Sequence, residues 1–440
     1  MKQTRDVIVE LLRHVSGRKE VGQYLTQYCS VDSQKFAVIK IGGAILHEER
    51  DVVASALSFL HKVGLYPVVV HGAGPQLDAA LEDAGIDAPI IDGLRVTSPE
   101  AIEVVRRVLQ RENLALVEAL ATHGTAARPI TSGVFEAKLR DRDRYGLVGD
   151  VRGVDEAAIA AAIRAEQLPI LTSLATSGDG QLLNVNADEG ARALALRIEP
   201  HKIIFLTATG GLLDAQSKVV SAVNMSEDYE PLLRAGWLSG GMRLKLEQIH
   251  ALLQQLPSSS SVSITSPSHL ARELFTHRGA GTLLRRGERV LSYEGFNDID
   301  TQRLRGLLES CFGRKLDEDY FETRHCHRLY VTEQYRATAV ITREGGLPYL
   351  DKFAVTTKAQ GEGLGGSVWS RVRRDHGKLF WRAQSNNEVN GWYFQQADGT
   401  HRSDGWTVFW YGMRDFEEIE RCVAIALAKP PSLRAHGTSA

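Results

Sequence analysis

Residues 36–43 read F-A-V-I-K-I-G-G. A short apolar run closed by a glycine pair reads as a buried strand ending in a turn, with Lys40 at its penultimate position. Working outward, the spacing predicts a helix over 50–63 and a second strand, Y-P-V-V-V (66–70), that runs into His71-Gly72-Ala73-Gly74. Helices over 75–84 and 99–122 follow, then strands L-P-I-L-T (168–172) and K-I-I-F-L (202–206) with a helix over 187–197 between them. A polar loop, S-S-S-S (258–261), precedes one more strand, V-S-I-T (262–265). Strands alternating with helices build βα units, so the expected fold class is α/β, a mainly parallel sheet with helices on both faces. Ligands bind such sheets at the carboxyl ends of the strands, where these glycine turns lie.

The pattern changes near residue 290. L-Y-V-T-E-Q-Y (329–335) and A-T-A-V-I-T (337–342) alternate as antiparallel strands do. D-K-F-A-V (351–355), a glycine-rich turn, a helix over about 365–375 and aromatic-rich strands complete a second α/β domain. The boundary is placed near Arg285–Ser292. The expected division is a helical arm (1–30), a first domain (31–285), a second (290–430) and a frayed tail (431–440). The arm rests on Val7, Leu11, Leu12 and Val15 at helical spacing, and suits a packing helix or a contact in a homo-oligomer.

Composition excludes several classes. With 52 Lys and Arg against 54 Asp and Glu, the 440-residue chain carries a net charge of −2, so it has no global pull on nucleic acid or an anionic membrane. No apolar run approaches the roughly 20 residues of a membrane span. The N-terminal stretch carries charge inside its apolar part, unlike a signal peptide. Cys29, Cys311, Cys326 and Cys422 are widely spaced, which argues against a disulfide scaffold and suits a cytoplasmic protein.

Lys40 with Gly42 and Gly43, and then Gly72, Ala73 and Gly74, place exposed backbone N–H groups at two strand ends. Pro75 opens a helix there, and a helix N-terminus favours anions. Each turn alone is common, and neither is a P-loop. Asn184-Val185-Asn186-Ala187-Asp188 precedes a helix and reads equally well as capping. Gly240-Gly241-Met242-Arg243-Leu244-Lys245 again sets glycines before a helix. Together with D-G-L-R-V-T (92–97), Y-G-L-V-G-D-V (145–151) and T-A-T-G-G-L-L-D (207–214), these segments resemble the amino acid kinase family, within it the N-acetylglutamate kinases, over roughly residues 35–285. The resemblance implies that Lys40 and Lys245 flank a transferring phosphoryl group and that Asp188 holds both lysines. It implies that the glycines of both turns bind phosphate oxygens, with Gly42 and Gly43 toward ATP, which carries Mg2+, and Gly72, Ala73 and Gly74 on the substrate side. Arg95 and Asn184 would grip the α-carboxylate of N-acetyl-L-glutamate. Where family members carry an acidic and an aliphatic residue, this chain has Ala208-Thr209.

Gln360-Gly361-Glu362-Gly363-Leu364-Gly365 fits Q-x-x-G-x-G before a helix. The loop resembles the coenzyme A loop of the GNAT acetyltransferases. Residues 349–355, 379–382 and 390–394 are similar to the acetyltransferase domain of vertebrate-type N-acetylglutamate synthases. By that resemblance Phe353, Ala354 and Val355 hold the pantetheine arm of acetyl-CoA, and Gln360, Gly361, Gly363 and Gly365 cradle its pyrophosphate. Lys352, Arg382 and Asn387 would bind the carboxylates of L-glutamate. Tyr393 would be the general acid toward the thiolate, unless it is a plain core aromatic. His325-Cys326-His327 offers at most two side chains to one face of a strand, so no metal site is expected.

E-L-F-T-H-R-G-A-G-T (273–282) resembles the signature of arginine-inhibited N-acetylglutamate kinases, with Glu273, Gly279 and Gly281 around L-arginine. The expectation is therefore an enzyme of arginine biosynthesis with acetyltransferase and kinase domains. Three alternatives stay open: a kinase with a regulatory C-terminal domain, a synthase with a non-catalytic kinase fold, and an aspartate kinase.

Overall fold

The computed structural model describes residues 36–275, 280–359, 363–403 and 405–434. The expected arm (1–30) and the positions of Gln360, Gly361 and Gly279 lie outside them. The chain divides into two units. One runs through Met225 and resumes over Pro231–Arg286; the other takes Ser226–Glu230 and continues from Gly287.

In the first unit β1 (Ala37–Ile41) runs into α1 (Gly43–Glu48) and α2 (Arg50–Lys62). Then β2 (Val68–His71) runs into α3 (Gly74–Asp83), followed by the short hairpin β3 (Ile90–Ile91) and β4 (Leu94–Arg95). The long helix α4 (Pro99–Thr122) starts where Ser98 accepts from the Ala101 N–H at 3.1 Å, with proline in its first turn. Next come β5 (Ala127–Ile130), β6 (Phe135–Leu139), β7 (Gly149–Val154), β8 (Leu168–Thr172), β9 (Leu174–Thr176) and β10 (Leu182–Asn184). Helix α5 (Ala187–Ile198), β11 (Lys202–Leu206), β12 (Ala222–Asn224), α6 (Gly240–Gln255), β13 (Ser261–Thr265), α7 (Leu270–Phe275) and β14 (Thr282–Arg285) follow.

Eight of these strands form one sheet in the order β12-β14-β13-β11-β1-β2-β8-β5. All neighbours are parallel except β13 and β14. Strand β1 lies between β11 and β2, which is why it reads as a nearly unbroken apolar run. Alternation sends Val38 into one core with Val105 and Leu194, and Ile39 into the other with Leu57 and Leu120. Fully burying each such side chain stabilises the fold by about 1.5–3 kcal/mol, so a charge at either position would break the layer it serves. A second sheet, β10-β9-β6-β7, was not expected from the sequence.

The second unit opens with β15 (Val290–Tyr293), α8 (Thr301–Phe312), β16 (Lys315–Leu316), β17 (Cys326–Thr332), β18 (Ala337–Glu344) and β19 (Leu347–Val355). It continues through α9 (Leu364–Asp375), β20 (Leu379–Gln384), α10 (Asn390–Gln396), β21 (Gly399–Ser403), β22 (Trp406–Tyr411), α11 (Phe416–Ala428) and β23 (Leu433–Arg434). Its main sheet runs β15-β17-β18-β19-β20-β22-β21, antiparallel except for β19 and β20.

Two expectations are corrected. The strand read over 329–335 ends at Thr332, because the chain turns there and Tyr335 takes a left-handed φ of 57°. The start of the expected tail is ordered: Leu433 pairs with Leu316 and packs in the same core.

Candidate active sites

The carboxyl ends of β1 and β2 are neighbours. Ile41 pairs with His71, so the two glycine turns leave the sheet side by side. They approach more closely than side chains allow: a Cβ on Gly43 would collide with the Gly74 nitrogen and lie 2.8 Å from the Ala73 Cα. Gly42 and Gly74 differ, since a Cβ there would meet nothing within 4 Å. Gln76 of α3 ties the turns together, donating from Nε2 to the Gly43 carbonyl at 2.9 Å.

Lys40 reaches over these turns, its Nζ 2.8 Å from Oδ1 of Asp188. Asp188 sits in the first turn of α5, and the cap is Asn186, which accepts from the Asp188 N–H at 2.8 Å. Capping and ion pairing, the two readings of this segment, thus fall on different residues. The start of α5 abuts the second turn, with a Cβ on Gly72 lying 3.4 Å from that of Ala187. Lys245 lies one turn inside α6, its Nζ 4.8 Å from the centroid of Phe205, the register partner of Lys40.

The three charges form one field. Burial works to raise the Asp188 pKa, but Lys40 and Lys245 outweigh it and hold the carboxylate below its usual range. Burial lowers the Lys245 pKa; Asp188 opposes that and Lys40 reinforces it. Two ammonium groups around one carboxylate leave a net positive pocket beside N–H groups, which suits a phosphoryl group.

Arg95 and Asn184 meet through Thr97. Asn184 Nδ2 donates to Thr97 Oγ1 at 3.1 Å, and that hydroxyl donates to the Arg95 carbonyl at 2.9 Å. The Arg95 guanidinium is paired with Asp78 of α3 and donates to the Ala88 carbonyl at 3.3 Å. At the departure from the family pattern, the turn is self-satisfied: Thr209 Oγ1 donates to the Gly211 carbonyl at 3.2 Å.

In the second unit the main sheet splits. The parallel strands β19 and β20 pair only at Tyr349 and Phe380, then separate. Asp351 is the extra residue of a bulge against β18, which bends β19 at the split. The backbone of Phe353, Ala354 and Val355 lies beyond that pairing, on a strand edge of the kind an amide-bearing chain can extend. Gly363 opens α9 at a φ of 79°, and a Cβ on Gly365 would lie 3.0 Å from Val355, so glycine lets α9 approach β19.

Tyr393 on α10 is buried, its ring 5.5 Å from those of Trp381 and Phe409. Burial pushes its phenol pKa up, so it stays protonated at neutral pH. Among the described residues nothing hydrogen-bonds its hydroxyl.

The three residues assigned to glutamate are engaged. Lys352 Nζ donates to Asp351 Oδ2 at 2.7 Å, to the Asp351 carbonyl at 3.2 Å and to Ser432 Oγ at 2.6 Å. Arg382 donates to the carbonyls of Ala426, Leu427 and Pro430 at the end of α11, where a cation suits the helix dipole. Asn387 accepts from the Val389 N–H at 3.0 Å in the turn before α10.

Glu273 is also committed. It is 6 % exposed and accepts from Ser263 Oγ at 2.8 Å and from the N–H groups of Ala280 and Gly281 at 2.8 and 3.0 Å. Gly281 is there because a Cβ would run into the Ile264 carbonyl.

Comparison with known proteins gives two family matches: the amino acid kinase family over residues 35–265, and the N-acetyltransferase of N-acetylglutamate synthase over 277–428. The chain belongs to the amino acid kinase family. It is 51% identical over 424 residues to an acetylglutamate kinase of Xanthomonas campestris pv. campestris, covering 95% of this chain and all of that one. It is 32% identical over 438 residues to the mitochondrial N-acetylglutamate synthase of Homo sapiens, covering 97% and 79%. In fold it is similar to an N-acetylglutamate synthase of Neisseria gonorrhoeae solved with coenzyme A and N-acetyl-glutamate, with a TM-score of 0.60 at 17% identity over 89% of this chain and 97% of that one.

In this member of the amino acid kinase family, sequence reasoning quoted His71 and Thr97 within motifs but gave them no role, and passed over Gln76 and Asn113. Asn113 could have been found as a polar residue on the buried face of α4, beside Glu112 and among Val105, Leu109, Leu116 and Leu120. Thr97 and Gln76 carry no such signal, since their partners come from other elements.

Proposed function

We propose that this chain is an enzyme of arginine biosynthesis with two activities: acetyl transfer from acetyl-CoA to L-glutamate, and phosphorylation of the N-acetyl-L-glutamate γ-carboxylate by MgATP. The observation that carries the kinase reading is the Lys40–Asp188–Lys245 cluster standing over two interlocked glycine turns.

In the kinase reaction the γ-carboxylate, already ionised at pH 7, attacks the γ-phosphorus and ADP leaves. Lys40, Lys245 and the N–H groups of the turns meet the charge that spreads over the transferring oxygens. In the acetyl transfer the neutral glutamate amine attacks the thioester carbonyl, the C–S bond breaks, and Tyr393 gives its proton to the departing thiolate; the proton that the amine sheds on becoming an amide passes to water and restores the phenol. The split between β19 and β20 supports the reading of an inserted pantetheine arm.

A cytoplasmic setting is proposed from the free thiols of Cys311, Cys326 and Cys422. Among the described residues no helix is long and apolar enough to cross a membrane. A homo-oligomer and inhibition by L-arginine at Glu273 and the following turn complete the proposal.

A second reading, a kinase with a ligand-binding C-terminal unit, has its own support. The full-length relative above is named as the kinase, and Lys352 and Arg382 are already engaged. Steady-state assay of both reactions on one purified sample separates the two. Phosphorylation without acetyl-CoA turnover would favour the second.

A further inference from the structure

His71 closes β2 and is fully buried, as is Asn113 of α4. Asn113 Nδ2 donates to the Ile170 carbonyl at 2.9 Å and lies 3.1 Å from His71 Nε2. A carbonyl can only accept, so the amide nitrogen must face this side, and its other proton points at Nε2. On the far side of the ring, His71 Nδ1 lies 3.2 Å from the Gly72 carbonyl. That partner too can only accept, so Nδ1 carries the proton. Two separate contacts therefore demand the same neutral imidazole. Burial keeps it neutral, lowering its pKa to about 4 against the opposing pull of the Gly72 bond and the Glu112 charge.

The hydrogen bond has a consequence for the second turn. The Gly72–Ala73 peptide is a planar trans unit, so its carbonyl and its N–H point in opposite directions. With the Gly72 carbonyl bonded to His71, the Ala73 N–H points away from His71. Among the described residues nothing accepts from that N–H.

We propose that His71 and Asn113 are positioning residues of the phosphoryl-transfer site: Asn113 selects the Nδ1–H form of His71, which fixes the Gly72 carbonyl and so aims the Ala73 N–H at a phosphate oxygen. The proposal rests on reading the glycine turns as the phosphate site. A residue that acts on one donor through another should matter less than the donor itself, which is worth about 100–1,000-fold.

The test compares His71→Leu, Asn113→Leu and His71→Asn in the full chain, with MgATP and N-acetyl-L-glutamate as substrates. The Leu variants are expected to lower kcat for phosphorylation by roughly tenfold, with KM for N-acetyl-L-glutamate and the acetyl-transfer rate within about twofold of wild type. His71→Asn carries an N–H where Nδ1–H stood and should recover most of the loss. Full phosphorylation rates in the Leu variants, or a His71→Asn as slow as His71→Leu, would overturn the proposal. Nitrogen-15 spectra of histidine-labelled wild type, assigned by loss of a signal in His71→Asn, should show an Nδ1–H ring that does not titrate near neutral pH. An Nε2–H ring would overturn it even where a Leu variant fails to fold. A wild type with no kinase activity would refute the proposed function, and the spectrum would still decide the tautomer.

Discussion

Lys40 and Asp188 meet at 2.8 Å, one from the end of a central strand and the other from the first turn of a helix. The carboxylate also feels Lys245, so its removal leaves two partly buried ammonium groups repelling each other. Asp188→Asn keeps the shape and removes the charge. Kinase turnover should fall about 100–1,000-fold, as when one preorganised group is lost, while acetyl transfer is retained. Lys40→Ala should behave alike. Near-wild-type phosphorylation in both, measured as ADP release, would remove the cluster from the mechanism.

The two glycines after β1 make a matched pair of probes. Gly43→Ala drives a methyl group into the backbone of Ala73 and Gly74, so it should force the turns apart and lower both stability and kinase rate. Gly42 has a φ of −69°, and its Cβ would enter open space. Gly42→Ala should therefore fold normally, and any loss of kinase rate would report a clash with bound phosphate. If Gly42→Ala keeps the wild-type KM for MgATP and kcat, the open space beside Gly42 is not where phosphate sits.

Much of this was legible in the chain because periodicity and glycine placement are local. Strands 168–172 and 202–206 and helix 99–122 fall at their read positions. The sheet β10-β9-β6-β7 was not, because its strands are short and the pairing that unites its two hairpins joins Phe135 to the distant Ala175: Leu174 follows β8 after a single residue and then pairs in a different sheet. Side-chain engagement was less legible still. Nothing in the spacing of Lys352 or Arg382 announces that Ser432 and the carbonyls at the end of α11 already occupy their donors. Sequence marks residue types suited to a carboxylate; only the fold shows what else competes for them.

Tyr393 is surrounded by aromatic rings, so Tyr393→Phe removes the hydroxyl and leaves the packing. Loss of an acid should slow acetyl transfer about 100–10,000-fold with phosphorylation unchanged. Thiol release from acetyl-CoA is the measurement. An unchanged rate would make Tyr393 a core residue.

Glu273 holds the chain at Ala280 and Gly281 by accepting from both N–H groups with one oxygen. A glutamine there can still accept from both N–H groups at its one oxygen and turn its amide nitrogen toward the Ser263 hydroxyl, but it brings no charge to these bonds, and charge-assisted bonds are the stronger ones. Glu273→Gln should therefore loosen the turn, and if L-arginine binds there, inhibition should need higher concentrations. Titration of both activities with L-arginine in wild type and variant is the check. Equal sensitivity would move the site elsewhere, and no response in wild type would remove it.

The buried His71 makes the stability of the first unit depend on pH in a defined window. Its pKa falls from the ordinary 6.5 to about 4 in the folded chain, chiefly through burial. Between those values the unfolded chain binds a proton that the folded chain does not. Stability from this residue is thus fully present above pH 6.5 and is lost as the pH falls toward 4. A shift of that size corresponds to a change on the order of 3 kcal/mol. Burial also lowers the pKa of His201, His327 and His376, but those residues are common to wild type and His71→Asn and cancel in the difference. The stability advantage of wild type over His71→Asn should therefore shrink as the pH is lowered through the window. Hydrogen-exchange protection of peptides from β2 and α4, corrected for intrinsic rates, follows the first unit without requiring the whole chain to unfold in one step. A difference that stays constant with pH would mean that His71 is not held neutral by the fold, and the Nε2 acceptor that faces the Asn113 amide would lose its basis.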